Sequence, residues 1–433
     1  MLYSRRSLGE QKTSRVYRQN SQKDNVLNKR QVTGDAQRPE SNQRGLSRRQ
    51  VLRTGGVTAA LFYAAHATGN HSILHAAAGE GTLPAGAALA GGTNLAGVFN
   101  DDPVDPVAVA NGSAGWYPTI YGAGDEIGAL NEITPQKTLS ALQLIKNNKN
   151  KPPKTYNLGE ILEPNVPAYG IRKYVQTRVG PTLAPPYAGD NQINGMEETI
   201  DTTYQIATQL DGLPHIGVRD TYYNGFKVPD LIAGNTSGVN FLGQEKVNPF
   251  VTRGILLDVL ALKVMQGDSS ALGAPVDGKP ILANSYRITV EDLEGAMKLG
   301  KTGPVEPGDV VIIRTGWTHL YSATDAVKKA RYLATEPGIY LREARWLASM
   351  RPAVVASDAW ALEVLPAPAP WSATQFFPVH QELITHHGIR IGEGFRSEEL
   401  SADKLYKFVF FYTGVRAKGA TAGNVAPGAL GTP

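Results

Sequence analysis

The centre of the chain alternates short apolar runs with segments of helical period, and this alternation constrains the fold more than any other feature. The runs GILLDVLAL (254–262), VVII (310–313) and PAVVASDAWAL (352–362) have the length and apolar content of strands buried on both faces. Between them, ITVEDLEGAMKLG and GIYLREARWLASM place apolar residues at helical spacing. Because strands that alternate with helices build a sheet with helices packed on it, we predict an α/β fold.

Capping signals fix the ends of several helices. Thr289, followed three residues later by Asp292, predicts a capping pair at the start of ITVEDLEGAMKLG. Thr134-Pro135 predicts another helix start, followed by apolar residues on one helical face at Leu139, Leu142 and Ile145.

Further elements flank this core. PVHQELITHHG is predicted to be a helix that Gly388 ends. TYNLGEIL, residues 169–179 and KFVFFYTGV have the alternation or composition of strands. The sequence contains neither an internal repeat nor a run that predicts a transmembrane helix.

Charge is distributed unevenly along the 433 residues. Residues 1–53 hold 13 Lys/Arg against 4 Asp/Glu, whereas the rest of the chain holds 30 against 35. The folded part is therefore mildly acidic, which argues against a nucleic-acid partner. Cysteine is absent, and this excludes disulfides, thiolate metal ligands and a cysteine nucleophile.

The N-terminal region has the order of features expected of an export signal. SRRQVLR (47–53) contains an arginine pair, VTAALFYAAHAT follows as a short apolar run, and HAAAGE offers a cleavage site after Ala78. We predict a Tat-type signal with a basic extension over 1–78, and hence a periplasmic or secreted protein. The alternative is a disordered basic tail with a chance arginine pair. Residues 79–115 show no helical or strand period and are predicted to be a linker or surface arm, before a folded domain over 116–433.

The stretch YQIATQLDGLPHIG (204–217) concentrates polar side chains in the middle of the chain. Gln205, Gln209, Asp211 and His215 fall at i, i+4, i+6 and i+10. A carboxylate attracts a cation, and a neutral imidazole beside a water molecule can take its proton. The alternative for Asp211 is an ordinary turn residue, since Asp-Gly is a frequent turn pair.

Several collinear segments resemble those of the cyclase-like metal hydrolases, a family that includes kynurenine formamidases and isatin hydrolases. They are GDEIGALNEITP, VTRGILLDVLALK, VEPGDVVIIRTGW, PGIYLREARWLASMRPAVVASDAWALEVLP, PVHQELITHHGIRIGEG and GATAGNVAPGA. The resemblance implies a swivelling β/β/α domain with a mixed sheet and flanking helices. It also implies hydrolysis of a C–N bond in a formamide or cyclic amide, a Zn or Mn ion, and a homodimer or higher oligomer.

The family holds its metal with H-x-G-T-H-x-D and a further His four residues beyond the Asp. In this chain Gln205 and Gln209 stand at the two motif His positions, Asp211 at the Asp and His215 at the trailing His, which the resemblance makes a general base. Neutral amide oxygens are weaker and harder ligands than imidazoles, so the two changes favour oxygen-preferring ions.

Two C-terminal residues complete the site that the resemblance implies. His380 and Glu393 are similar to the family's distal His and Glu. We predict one divalent ion, Mn or Zn, on Asp211, His380 and Glu393, with Gln205 and Gln209 as auxiliary ligands or substrate clamps. Two further residues are predicted to contact a small-molecule substrate in the pocket, namely His319 and Trp360.

Other polar residues have simpler interpretations. His386 and His387 end a helix, where a polar cap on the last carbonyls is the favoured role, and His319 is equally well explained as a boundary residue. Arg253 and Arg314 are predicted to pair with buried carboxylates such as Asp258.

Three functions remain open from the sequence. The first is a metal-dependent hydrolase of a small formamide or cyclic amide. The second is a metal-poor lactone hydrolase or dehydratase in which His215 and His380 perform acid–base chemistry. The third is a periplasmic small-molecule binding protein that has kept the pocket without turnover.

Overall fold

A nine-stranded mixed sheet forms the centre of the computed structural model, which describes residues 99–146 and 151–433. Within these residues the sheet order is β1-β11-β9-β5-β6-β7-β8-β4-β10, and β2 and β3 form a separate two-stranded sheet. The strands are β1 Lys154–Asn157, β2 Tyr174–Val179, β3 Glu197–Thr202, β4 Gln209–Asp211, β5 Phe250–Asp258, β6 Val310–Arg314, β7 Val354–Ser357, β8 Arg390–Glu393, β9 Lys407–Tyr412, β10 Ala422–Asn424 and β11 Gly428–Gly431. The predicted α/β class is confirmed.

Helices connect and flank these strands. The α-helices are α1 Pro106–Asn111, α2 Pro135–Lys146, α3 Val228–Ile232, α4 Val259–Gln266, α5 Val290–Gly300, α6 Ala326–Ala334, α7 Leu341–Ser349, α8 Pro378–His380 and α9 Glu398–Ala402. A π-helix, Gln381–His386, continues α8, and short 3₁₀ turns lie at Gly128–Glu132, Tyr223–Gly225, Gln244–Lys246 and Trp317–Leu320. The helix starts predicted at Thr134-Pro135 and Thr289 are confirmed, the second with both hydrogen bonds of the capping box.

The middle of the sheet is parallel, with β5, β6, β7 and β8 side by side. Strands β6 and β7 are buried along their whole length, as the continuous apolar runs predicted. Successive side chains alternate between two cores because strand side chains have a period of two. Ile255, Val311 and Val355 pack under α4, α5 and α7. Their neighbours in sequence pack on the other face, against residues of β9 and α9.

The apolar run 254–262 is one place where the prediction was wrong. We expected a single strand, but β5 ends at Asp258 and α4 begins at Val259. The Asp258 carboxylate accepts a hydrogen bond from Ala261 N at 2.9 Å and so caps the helix. The same carboxylate pairs with Arg314 at 3.0 Å, which confirms the predicted partner of that arginine. Arg253 pairs with Asp309.

Helix α2 turns a different face to the sheet from the one predicted. Leu139 and Leu142 remain 46% and 40% exposed, whereas Ala141 is fully buried. Thr138 Oγ1 donates to Val251 O at 2.7 Å, and Lys137 Nζ lies 2.6 Å from Asp309 Oδ1. Polar contacts with its neighbours therefore determine which face of the helix is buried, and the spacing of hydrophobic residues does not reveal these contacts.

The segment before Trp116 contains more structure than we predicted. Asp105 caps helix α1, because its side-chain oxygen accepts hydrogen bonds from Val107 N and Ala108 N. Asp101 pairs with Arg287 at 2.7 Å, and Arg345 donates to the backbone of Asn100 and Asp102. Short capped helices of this kind have no hydrophobic period, so the sequence pattern missed it. Residues 1–98, which include the predicted Tat-type signal and most of the predicted linker, lie outside the described residues.

The hairpin β2–β3 projects from the domain. Strand β2 confirms the strand predicted near residues 169–179, and the antiparallel pairing runs from Tyr174↔Thr202 to Val179↔Glu197. Most of its side chains are exposed, including Val175, Val179 and Ile200. None of the helices in the described ranges is long and apolar enough to cross a membrane.

Candidate metal centre

Strand β4 carries the polar stretch into the sheet. Gln209 and Asp211 are two residues apart on this strand and therefore share one face. In the antiparallel pairing with β8, Gln209 lies opposite Glu393. Gln209 Nε2 donates to Glu393 Oε2 at 2.5 Å and to Asp211 Oδ1 at 3.2 Å. Sheet register thus brings together two carboxylates that are far apart in sequence.

Two histidines approach the same carboxylate from different elements. His215 follows the turn after β4, where its backbone N–H donates to Gly212 O. His380 ends the short helix α8, which Pro378 begins. The Nε2 atoms of both rings lie 3.6 Å from Asp211 Oδ2, and His380 Nε2 is also 3.3 Å from Glu393 Oε1. Asp211, His215 and His380 form what we call the central cluster.

One oxygen of the central cluster has no hydrogen-bond partner within the described part of the chain. Asp211 Oδ2 is fully buried and accepts no hydrogen bond, a costly state for a carboxylate. Ligand atoms that lie about 2.1 Å from a tetrahedral ion are roughly 3.4 Å from one another. Each Nε2 atom lies 3.6 Å from Asp211 Oδ2, a separation close to that expected of two ligands of one ion. The donors Asp211, His215 and His380 lie close enough together to hold one ion. The residues present therefore fit a divalent metal.

Each imidazole is held from behind by a second side chain. His380 Nδ1 lies 2.5 Å from Glu363 Oε1, a contact that directs Nε2 towards Asp211. His215 Nδ1 lies 3.3 Å from the Gln205 amide, which also contacts Thr421 Oγ1 at 2.9 Å. An amide keeps its shape when rotated by 180°, and the orientation with Oε1 towards Nδ1–H leaves His215 Nε2 free as a donor atom.

The burial of these groups sets their protonation. Burial alone would raise the pKa of Asp211, but the neighbouring His215 and His380 hold it below its usual value. Burial opposes protonation of His380, yet contacts with Asp211, Glu363 and Glu393 raise its pKa well above the usual range. Burial lowers the pKa of His215. Burial, and then the charge of Asp211, raise the pKa of Glu393 to about 7.

Comparison with known proteins agrees with the sequence resemblance. A family model described as putative cyclase matches residues 155–364. This part of the chain is therefore similar to the cyclase family. A solved structure of a novel cyclase is 29% identical, covers 71% of this chain and 97% of its own, and has a TM-score of 0.60, which confirms the predicted cyclase-like fold.

Other solved structures match the chain at lower similarity. Isatin hydrolase A from Labrenzia aggregata is 13% identical, covers 65% of this chain and 94% of its own, and has a TM-score of 0.45. An isatin hydrolase bound to the product analogue thioisatinate is 16% identical, covers 69% and 100%, and has a TM-score of 0.44. No curated protein matches the sequence. The region that the family model matches contains residues 205–215 and Glu363, whereas His380 and Glu393 lie beyond it.

A cavity lies beside the central cluster and is bordered by residues that contact its members. Gln205, Gln209 and Glu393 form part of its lining, as does Trp360, one of the two predicted substrate contacts. Trp360 stacks on Tyr169 with ring centroids 4.8 Å apart. The remaining lining residues are mostly apolar or aromatic, with one arginine: Pro167, Ala168, Arg172, Ile206, Ala207, Tyr321, Tyr332 and Leu333.

His319 does not line this cavity. Its Nε2 atom lies 3.3 Å from Glu398 Oε2, in an ion-pair network with Arg314. This contact agrees with the alternative of a boundary residue. His386 and His387 also differ from the prediction, since both rings contact the Glu382 carboxylate, at 2.9 and 3.2 Å, in place of the last helical carbonyls.

The structure thus brings six of the predicted site residues into one connected group: Gln205, Gln209, Asp211, His215, His380 and Glu393. Sequence reasoning missed Glu363, although a single acidic residue inside the apolar segment 359–366 was a usable sign of a buried polar role. It also missed Thr421 and Arg172, for which the sequence contains no comparable sign.

Proposed function

We propose that this protein is a divalent-metal-dependent hydrolase that cleaves the C–N bond of a small formamide or cyclic amide. One observation carries this proposal: the buried Asp211 Oδ2 has no hydrogen-bond partner among the described residues and lies 3.6 Å from two imidazole Nε2 atoms. A buried carboxylate oxygen in that state is best explained by a cation between the three groups.

Asp211, His215 and His380 would hold the ion. Two nitrogens and one oxygen suit Zn or Mn, with further positions open to water and substrate. When bound, such an ion polarises a carbonyl oxygen and makes water more acidic. The Gln205 and Gln209 amides then act as positioning groups, Gln205 on the ring of His215 and Gln209 on the carboxylate of Glu393.

Glu393 is the proposed general base and His215 a metal ligand. From the sequence we had predicted the reverse, with His215 as the base and Glu393 as a ligand. His215 is as far from Asp211 Oδ2 as His380 is, which favours a ligand role for it. Glu393 borders the cavity and lies 3.3 Å from His380, so its carboxylate stands beside the proposed ion and can accept a proton from water. The water oxygen bonds to the carbonyl carbon as its proton passes to Glu393. The C–N bond then breaks, and the leaving nitrogen takes that proton.

Metal analysis of the protein purified in folded form, combined with chelator titration, tests the proposal. We expect close to one ion per chain, and hydrolysis of N-formylkynurenine, isatin or related amides that stops when the chelator removes it. The variant Glu393→Gln should keep the ion and lose turnover by about 100-fold or more. Activity indifferent to chelator would instead support metal-poor acid–base chemistry. Tight binding without turnover over a panel of amides and lactones would support a binding protein.

Changing both glutamines to histidine separates positioning from direct ligation. If Gln205 and Gln209 only position other groups, the Gln205→His and Gln209→His double variant should bind Zn no more tightly than the natural chain. Tighter binding would show that these side chains face the ion, as the sequence first suggested.

We also propose that residues 1–78 direct the folded protein to the periplasm through the Tat pathway, and that it assembles as a homodimer or a higher oligomer. The arginine pair, apolar run and cleavage site support the first, and the family resemblance supports the second. A reporter fused to residues 1–78 should be exported, and Arg48→Lys with Arg49→Lys should stop export. Light scattering of the mature protein should give at least twice the chain mass.

A further inference from the structure

The central cluster and its neighbour Glu393 are enclosed by the protein. Asp211, His380 and Glu393 are 0%, 2% and 3% exposed. The cavity beside them holds about 20 Å³ of space, which is room for about one water molecule. Cavities that bind small organic ligands usually measure about 300–1,000 Å³. A small amide therefore reaches the central cluster only if part of the cavity wall moves.

One side of this wall, residues 161–172, is held loosely by the rest of the protein. The segment contains neither a helix nor a strand. Among the described residues, two hydrogen bonds join it to other segments. Tyr321 Oη donates to Ile161 O at 2.9 Å, and Lys329 Nζ donates to Asn165 O at 2.6 Å. Both donors are side chains, so no backbone ladder fixes the segment.

The opposite side of the wall is built into the sheet and its loops. Gln209 and Glu393 are paired across β4 and β8. The carboxylate of Glu336 accepts a hydrogen bond from Trp360 N at 2.9 Å. Segments with few backbone hydrogen bonds open at a lower free energy than strands inside a sheet. Residues 161–172 are therefore the side of the wall that can open.

An aromatic stack closes this segment over the cavity. Tyr169 lies on Trp360 with ring centroids 4.8 Å apart and ring planes 20° apart. The backbone turns on both sides of Tyr169, at Asn165 and Gly170, which have left-handed φ values of 68° and 62°. The hairpin β2–β3 follows directly and is exposed along almost the whole of both strands. The hairpin therefore does not hold the segment shut, and the stack is the main contact that does.

We propose that residues 161–172 are a lid, which the stack of Tyr169 on Trp360 keeps shut and which opens to admit substrate and release product. The shut lid keeps bulk water from the central cluster, and this strengthens the electrostatic interactions there. Lids of this kind open and close in microseconds to milliseconds. The proposal concerns access to the central cluster and does not depend on which bond is cleaved.

Labelling of a buried cysteine measures opening without metal or substrate. The sequence has no cysteine, so Ile206→Cys places a single thiol in the cavity wall, where Ile206 is 3% exposed. A bulky thiol reagent should modify it much more slowly than a free thiol, because only the open lid admits the reagent. Tyr169→Ala in this background should speed labelling by about 2- to 10-fold, the effect of losing one stacked aromatic pair. Tyr169→Phe keeps the ring and is the matched control, with labelling as slow as in Ile206→Cys alone.

A reversible crosslink tests whether opening controls access. Asn165→Cys and Lys329→Cys, joined by a thiol-cleavable bismaleimide, tie the lid to α6 where the two residues already meet. The crosslinked, metal-loaded protein should lose its ion to a chelator and hydrolyse N-formylkynurenine more than about 10-fold more slowly, because both need the lid to open. Cleavage of the linker should restore both rates. The same linker between Asp277→Cys and Lys328→Cys is the matched control, since this ion pair involves α6 without the lid.

The lid and the hydrolase function fail in distinguishable ways. Labelling of Ile206→Cys at the rate of a free thiol, or equal labelling rates with Tyr169→Ala and Tyr169→Phe, would overturn the lid. Hydrolysis that the crosslink leaves unchanged would also overturn the lid and leave the hydrolase function intact. Slow labelling that Tyr169→Ala speeds, in a protein that hydrolyses no amide, would support the lid and overturn the hydrolase function. Unfolding curves verify that each variant folds.

Discussion

Among the residues that the structure describes, two clusters combine histidines with a carboxylate, and they differ in whether the carboxylate oxygens have hydrogen-bond partners. The central cluster contains Asp211 and two imidazoles, whose Nε2 atoms stand 3.6 Å from Asp211 Oδ2. The second group, which we call the rim cluster, consists of Glu382, His386 and His387, with nitrogen–oxygen distances of 2.9 and 3.2 Å. Both sets of ligand atoms are close enough to hold an ion by proximity alone.

In the rim cluster, both oxygens of the Glu382 carboxylate already have hydrogen-bond partners. Glu382 Oε1 lies at hydrogen-bond distance from His386 Nδ1 and His387 Nε2, and Glu382 Oε2 accepts from Arg345 Nε at 3.1 Å. A π-helix makes this arrangement possible, because its wider turn brings residues i+4 and i+5 together over residue i. The cluster therefore ties the π-helix to α7, which carries Arg345.

The central cluster leaves one carboxylate oxygen unsatisfied among the described residues and holds both rings from behind, through Glu363 and Gln205. The comparison teaches that the types of residue do not decide a metal site. What decides it is whether the hydrogen bonds are satisfied, because an ion binds where a buried carboxylate oxygen has no hydrogen-bond donor. Four predictions follow from this contrast, in order of decreasing effect.

The largest effect is expected from Asp211→Asn. Loss of the charged oxygen should reduce metal affinity by more than about 100-fold, beyond the 10- to 100-fold that loss of an outer contact costs. Competition with a chromophoric chelator measures the change. His387→Gln in the rim cluster is the control and should keep the full metal content. If His387→Gln loses the ion and Asp211→Asn retains it, the two clusters have been assigned in reverse.

Glu363→Gln should have the next largest effect. The amide cannot hold the His380 ring as a carboxylate does, so metal affinity should fall by roughly 10- to 100-fold. The same competition assay measures it, and Glu363→Asp is expected to recover part of the loss. An unchanged affinity would mean that the contact with His380 plays no part in ion binding.

Arg345→Gln should affect folding without affecting the ion. Removal of the partner of a buried carboxylate should lower the free energy of unfolding by about 1.5 kcal/mol, near the lower end of the range for charged hydrogen bonds because Arg345 is partly exposed. Urea unfolding at neutral pH measures the change. A large drop in metal content with unaltered stability would contradict the structural role of the rim cluster.

The smallest effect is a pH dependence of stability due to His386. Burial, and then the charge of His387, lower its pKa to about 4, although Glu382 opposes this shift and Arg345 and Trp116 also face the ring. Because the unfolded chain takes up this proton near pH 6.5, stability should fall as the pH drops from 6.5 towards 4. One fully buried proton would contribute about 1.4 kcal/mol per pH unit, and a partly exposed ring roughly half of that.

Unfolding of His386→Asn between pH 4 and 7 checks this dependence. The free energy of unfolding of this variant should change less steeply with pH than that of the natural chain. His319→Asn, which lies at a separate ion pair, should show the same slope as the natural chain. Equal slopes for the natural chain and His386→Asn would show that another group causes the acid instability.

Much of the fold followed from local pattern. The apolar runs at 310–313 and 352–362 predicted buried strands because parallel strands bury both faces, and the Thr289 cap predicted its helix because Asp292 completes the capping box. Local pattern failed at Asp258, where a side-chain cap converts an apolar run into a helix, and on α2, where polar contacts set the buried face.

For the candidate site, the sequence by itself determined which chemical groups are present: Asp211 and His215 in the middle of the chain, and a second histidine and a glutamate near the C-terminus. Tertiary structure alone decided their relations. The pairing of β4 with β8 sets Gln209 against Glu393, and the turn at Pro378 aims His380 at Asp211. It also decided that Glu382, two residues from His380, belongs to a different cluster. The physical reason is that partners far apart in the chain meet only through sheet register and helix direction, and these interactions determine whether a buried oxygen faces a proton or a space for an ion.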